Sequence, residues 1–218
     1  MKTIAVMGGT RFDTGIGCRL VESLGARALP VPIMGAPSEQ NAMQYARPAT
    51  LHAAVQDHCA ELVGQGVGSL LLFCNSLSVS IDTDRLALGS GLRVVTPLTA
   101  LPALAGRWDR FLVLGANAKS VAGIEKILYG LREDVRVQSY ASLAMVELIE
   151  SGAAPAEVWE RSGGDALLEL ARRGGAECLV LGCTHLTAIA DFLAGISPVP
   201  VADTGRMAAE LLLDRTPG

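Results

Sequence analysis

The chain reads as an α/β protein of two pseudo-symmetric domains, each a mostly parallel sheet flanked by helices. Two observations predict this. Short apolar runs alternate with longer stretches at helical spacing along all 218 residues, the pattern of βαβ units with parallel strands. A strand-and-loop pair also recurs. IAVMGGTRFDTGIG resembles FLVLGANAKSVAG in outline, and LLLFCNSLSV resembles LVLGCTHLTA. Val6 and Cys74 are 68 positions apart, Val113 and Cys183 are 70 apart. Similar offsets between similar elements imply two related halves.

In order, Thr3–Met7 is a short strand that ends at Gly8-Gly9, followed by a polar loop. A helix is predicted over Gly17–Leu24. Ala28–Ile33 is a second strand, and Pro30 and Pro32 put it near a sheet edge, because proline cannot donate to a ladder. Thr50–Gly64 has helical spacing of Leu51, Ala54, Val55, Cys59, Leu62 and Val63. Strands follow at Ser69–Phe73 and at Leu92–Thr96, the latter stopped by Pro97. Phe111–Leu114 opens a second series: helix Val121–Leu131, strand Val135–Ser139, helix Ala141–Ser151, one long helix Pro155–Arg173, strand Cys178–Leu181, strand Pro198–Ala202 and a terminal helix Arg206–Leu213. The boundary between halves falls near Thr96–Thr99. The last helix returns to the first half, giving a first domain of residues 1–96 plus 203–218 and a second of 97–202.

Composition narrows the function classes. Half the residues are hydrophobic and 18% are charged, with a net charge of −4 and no basic run. Nucleic acid and anionic membrane surfaces are therefore not expected partners. The N-terminal MKTIAVMGGT lacks the apolar core of a secretory signal, and no apolar stretch approaches the roughly 20 residues of a membrane span. The expectation is a cytoplasmic protein. The five cysteines are scattered without a Cys-x-x-Cys pair, so neither a metal site nor a thioredoxin-type redox site is expected. Cys18, Cys59 and Cys178 read as packed core thiols. His52 and His58 lack a metal-ligand pattern, and Arg11 reads as a solvated charge.

Cys74 and Cys183 stand apart. Each follows an apolar run bounded by polar turn residues, which is a buried strand reaching its carboxyl end. That end is where ligands bind in open α/β sheets. If the two halves are related by a pseudo-twofold axis, the thiols face each other across one cleft, and opposed thiols can take a proton from one face of a carbon and return one to the other. An ordinary thiol, with a pKa of about 8.5, is mostly protonated at neutral pH, so each needs a helper. Asp13, read as lying in the loop after the first strand, is the best carboxylate. His185, two residues after Cys183, is the best imidazole. Asn75, Ser76 and Thr184 are suited to hold a substrate carboxylate and to stabilise charge developing at the α-carbon. Taken singly, Asp13 reads as a turn or cap residue, and Asn75 and Ser76 as helix caps. Their joint occurrence in matching loops is what argues for a site.

FDTGIG at Phe12–Gly17, CNS at Cys74–Ser76, GCTHL at Gly182–Leu186 and ADTG at Ala202–Gly205 resemble the aspartate/glutamate racemase superfamily across nearly the whole chain. The histidine after Cys-Thr and the Asp-Thr-Gly loop look more like glutamate racemases than aspartate racemases. The resemblance implies two pseudo-symmetric α/β domains with the active site between them, no cofactor, and a homodimer acting on a small anionic substrate. It implies that Cys74 and Cys183 are the acid/base thiols, that Asp13 assists Cys74 and His185 assists Cys183, and that Thr14, Asn75, Ser76 and Thr184 bind the substrate. PIMG at Pro32–Gly35 falls where glutamate racemases carry Pro-Tyr-Gly. The chain departs from glutamate racemases at Leu114–Ser120, where Ala116 and Lys119 replace two threonines. An ammonium pairs with an anion and a methyl does not donate, so Lys119 joins the substrate-binding candidates and the substrate is less constrained than the reaction. A maleate-type cis–trans isomerase and a hydantoin racemase are the alternatives within the superfamily. A non-catalytic binding protein and a thiol redox sensor are those outside it.

Overall fold

The computed structural model describes residues 2–214. The first half runs β1 (Thr3–Gly8), α1 (Arg11–Ser23), β2 (Arg27–Pro32), α2 (Pro37–Ala42), α3 (Pro48–Gly64), β3 (Ser69–Phe73), α4 (Asn75–Ser78), α5 (Thr83–Ser90) and β4 (Arg93–Val95). A 3-10 turn at Pro97–Ala100 and α6 (Leu101–Ala105) lead into the second half. There follow β5 (Arg110–Gly115), α7 (Ala118–Leu131), β6 (Arg136–Ala141), α8 (Leu143–Glu150), α9 (Pro155–Arg161), α10 (Gly164–Arg173), β7 (Cys178–Leu181), α11 (Ala190–Ile196), β8 (Val201–Asp203) and α12 (Thr204–Leu212).

Each half holds a four-stranded sheet, in the order β2-β1-β3-β4 and β6-β5-β7-β8. Every pairing is parallel. The second order is the first with each strand moved four places along the chain, so the recurrence in the sequence is a recurrence of topology. Parallel strands need helical crossovers, which cover both faces and bury the strands on both sides. The side chains divide accordingly. Ala5, Met7, Leu70 and Leu72 enter one core and Ile4, Val6, Leu71 and Phe73 the opposite one. In the second sheet Leu112, Leu114, Leu179 and Leu181 face one way, Phe111, Val113, Cys178 and Val180 the other. Cys59 and Cys178 are core residues, as expected. The proline-bearing strand β2 lies at a sheet edge.

Three local expectations are corrected. The first helix begins at Arg11, not Gly17, so Asp13 lies in a helical turn and not in a loop. Thr10 is its N-cap and exchanges side-chain-to-backbone bonds with Asp13 in a capping box, which satisfies amides that a helix start otherwise leaves orphaned. Gly15 therefore lies within this helix rather than in the loop before it, and Cys18 is half-buried on it. The single helix expected over Pro155–Arg173 is two helices. Gly163 between them has φ +69°, a left-handed conformation that glycine adopts freely, and a Cβ on Gly164 would lie 2.1 Å from the Trp159 ring. Four helices, α2, α5, α6 and α11, were not expected. Of these, α5 is capped by the Asp82 side chain, which accepts from Arg85 N at 2.9 Å, and is ended by left-handed Gly91.

The division into residues 1–96 with 203–218 and 97–202 is proposed on the packing of α12. Its Ala208, Ala209 and Leu212 join the core of Ile4, Val6 and Phe73 in the first half. Residues 1 and 215–218 of that division lie outside the described residues.

Candidate active site

The carboxyl ends of strands β1, β3, β5 and β7 lead into the loops and helix starts that hold every candidate residue. Cys74 is the residue before α4, and Cys183 the residue before the 3-10 turn Thr184–Ile189. Both have extended backbone, φ −159° and −145°, so the two thiols occupy equivalent places in the two halves. Cys74 is fully buried and Cys183 4% exposed.

The halves meet through these loops. Thr184 Oγ1, from the Cys183 loop, donates to Asp13 Oδ2 at 3.1 Å. Asp13 also accepts from the backbone of Gly9 at 3.2 Å and Thr10 at 2.8 Å. Asn117 Nδ2 donates to Ser76 Oγ at 3.0 Å. Phe12 of α1 stacks on the His185 ring, with centroids 6.0 Å apart and planes 4° from parallel. His185 Nδ1 lies 3.7 Å from Cys183 Sγ, and its Nε2 lies 2.7 Å from Glu150 Oε1 at the end of α8. The Thr10 hydroxyl bonds the same Glu150 oxygen.

Glu150 carries no sequence signal: it ends an apolar helix, and only the packing of α8 beside the Cys183 loop brings it to the imidazole. Thr10 and Asn117 were likewise not singled out. Both are legible as N-caps three residues before a polar partner, Thr10 to Asp13 and Asn117 to Ser120, a pattern that marks helix starts but not sites.

The helpers do not divide cleanly between the thiols. His185 adjoins Cys183, as expected, but Asp13 also lies 3.9 Å from His185 Nδ1. Cys74 instead accepts from Gln40 Nε2 at 3.3 Å. Burial raises the Cys74 thiol well above its usual range, and the Asp13 charge adds to this, while the Leu77 backbone N–H and Gln40 pull it back. Burial also raises Asp13, against the charge of His185 and the bonds from Thr10 and Gly9. Burial alone would lower His185. Its bonds to Cys183 and Glu150, with the charges of Cys183 and Asp13, outweigh that and hold it at about 10. Around neutral pH the site thus holds an imidazolium beside one sulfur and a neutral thiol at the other.

Among the remaining candidates, the Thr14 hydroxyl donates to the Thr10 carbonyl. Asn75 differs: both Nδ2 and Oδ1 are buried without a partner, which leaves a donor and an acceptor for a ligand. Lys119 stands in the first turn of α7, partly buried. Ala116, in the β5–α7 loop, is buried. Among the described residues, no group of three or more His, Cys, Asp and Glu side chains is placed to hold a metal ion. A groove of about 490 Å³ among α6, α11 and α12 is lined by none of the candidate residues.

A family profile described as Asp/Glu/Hydantoin racemase matches residues 32–212. A glutamate racemase from Beutenbergia cavernae is 29% identical over 136 residues, which is 59% of this chain and 46% of that one. The chain spans about half the length of such curated relatives. Among solved structures, a Francisella tularensis glutamate racemase in complex with D-glutamate superposes with a TM-score of 0.71 at 19% identity, covering 98% of this chain and 80% of that one. A Picrophilus torridus aspartate racemase superposes with a TM-score of 0.71 at 12% identity, covering 98% and 94%. These two share the fold of this chain.

Proposed function

We propose, from the premise that this chain belongs to the Asp/Glu/Hydantoin racemase family, that it is a cofactor-independent racemase of an acidic amino acid, glutamate or aspartate. The observation that carries the reading is the placement of Cys74 and Cys183 at equivalent strand ends of the two halves, with Asp13 of the first half bonded to Thr184 beside Cys183.

In this reading one sulfur, as thiolate, takes the proton from the α-carbon. The C–H electron pair passes into the adjacent carboxyl group, and the opposite thiol gives its proton to the other face. The first sulfur ends as thiol and the second as thiolate, and the centre is inverted. The neutral Cys74 thiol serves as acid in one direction. The imidazolium of His185 exchanges its proton with Cys183, while Glu150 holds the ring. Asn75 supplies the free donor for the substrate carboxyl group, where negative charge develops. Thr14, Ser76, Thr184 and Lys119 complete the proposed substrate contacts. The protein is further proposed to be a cytoplasmic homodimer, which sedimentation of the purified chain tests for oligomeric state.

A second reading, racemisation of a ring substrate such as a hydantoin, is favoured by the apolar neighbours of Cys74, among them Met7, Met43, Leu77 and the half-buried Met34. Incubation with L-glutamate, L-aspartate, maleate and a hydantoin in D₂O separates the possibilities. Deuterium entering the α-position of one acidic amino acid, with formation of its enantiomer, supports the first reading. Exchange confined to the hydantoin, or conversion of maleate alone, replaces it.

A further inference from the structure

Helix α2, between β2 and α3, has no role in the scheme above, yet it carries a polar side chain into the site. Helix α2 is a six-residue surface helix whose buried residue is Gln40, 3% exposed. It packs against α8, the helix that carries Glu150, and so reaches from the first half to the second. The Gln40 carboxamide makes one side-chain hydrogen bond among the described residues, Nε2 to Cys74 Sγ at 3.3 Å. Its Oε1 is buried without a partner. Burying a primary amide is costly unless it is hydrogen-bonded, so this side chain is not held in place by its own satisfaction. The neighbouring chain makes room for it: a Cβ on Gly9 would fall 2.4 Å from Gln40 Cδ. A glycine beside the carboxamide, and a contact that ends on the sulfur, are the features of a group placed for Cys74.

We propose that Gln40 is a positioning residue for Cys74, donating from Nε2 to the sulfur so that the thiolate is held in place when the proton has left. A neutral thiol accepts weakly, whereas a thiolate accepts strongly. The donor therefore favours the deprotonated state and fixes its direction. It opposes the burial and the Asp13 charge, which both disfavour that state. The inference deepens the two-thiol reading and rests on it for its meaning, but its test needs no substrate.

Cys74 and Cys183 are alkylated with iodoacetamide from pH 6 to 10 in the full chain, and each modified peptide is quantified by mass spectrometry. Gln40→Leu and Gln40→Met, which keep most of the side-chain volume and lose the donor, are compared with wild type. The expected result is alkylation of Cys74 slowed about tenfold at pH 8, roughly the worth of one hydrogen bond to a charged acceptor, with a profile moved to higher pH. The Cys183 profile stays in place. Gln40→Lys, which restores a donor, returns Cys74 to wild-type reactivity or above. An unchanged Cys74 profile in both donor-less variants overturns the proposal, and so does faster alkylation, which would show α2 to be only a cover. Absence of any racemisation by the wild type overturns the proposed function instead, and the alkylation result stands by itself.

Discussion

At the scale of single residues, the two thiols and the imidazole carry different loads. In the proposed mechanism each sulfur has a separate proton transfer, so neither substitutes for the other. Cys74→Ser and Cys183→Ser are each expected to lower racemisation by about 10²–10⁴-fold, the usual worth of a positioned acid or base. Chiral chromatography of the product reads this, and wild-type rates in both variants would remove the thiols from the reaction. His185 has a pKa raised to about 10, against about 6.5 for an unperturbed histidine. The folded protein thus binds this proton more tightly than the unfolded chain does. The stability it contributes is complete below about pH 6.5 and is lost as pH rises towards 10. Glu150 accepts from the ring at 2.7 Å, so Glu150→Gln lowers the histidine pKa and brings that loss to lower pH. Thermal unfolding midpoints between pH 6 and 10 check this; parallel curves for the two proteins would deny Glu150 the role. Cys74 and Cys183 were legible because cysteine recurs at matching strand ends, and Asp13 and His185 because they occur just after strand ends of the same repeat. Glu150 and Gln40 were not, since each sits on a helix where nothing periodic distinguishes it.

At the scale of elements, α1 shows how a helix can be both structure and site. Its start was misjudged because the two glycines in DTGIG argue for a turn, whereas tertiary packing makes them useful. A Cβ on Gly17 would lie 2.7 Å from Val6 Cγ1 and 2.9 Å from the Phe73 ring, so the glycine lets the helix lie close on β1 and β3. A Cβ on Gly15 would meet only Arg19, at 3.5 Å. Glycine to alanine within a helix gains about 1 kcal/mol where space is free, but forcing atoms into a packed core costs about 1–3 kcal/mol. Gly15→Ala is therefore expected to raise the urea midpoint and Gly17→Ala to lower it. Equal shifts would mean that α1 does not pack as described. The regular strands were read nearly to the residue, notably Ser69–Phe73 and Cys178–Leu181, because strands buried on both faces are short continuous apolar runs. The break at Gly163 and the existence of α2 were lost because both depend on what packs beside them.

At the scale of the whole molecule, the two halves close on each other and shut the candidate site away: Cys74, Asn75, Asp13, Thr184 and His185 are all at most 2% exposed. Under the proposed function a substrate reaches them only if the halves part. The links to be broken are the polar contacts Thr184–Asp13, Thr10–Glu150 and Asn117–Ser76, together with the packing of α2 on α8. Amides of residues 36–46 and 143–150 are expected to exchange with solvent through this opening, and to slow several-fold when a bound acidic amino acid holds the halves together. Exchange insensitive to every acidic amino acid tested would place substrate entry elsewhere. The sequence by itself determined the α/β class, the repeat of two related halves and the two cysteine loops, because these follow from periodicity and from residue types at strand ends, which are local along the chain. The tertiary structure alone decided which groups stand around each sulfur. Asp13 lies beside His185 as well as acting on Cys74, Glu150 arrives from α8 and Gln40 from α2, because those neighbours are set by how elements distant in sequence pack across the closed cleft.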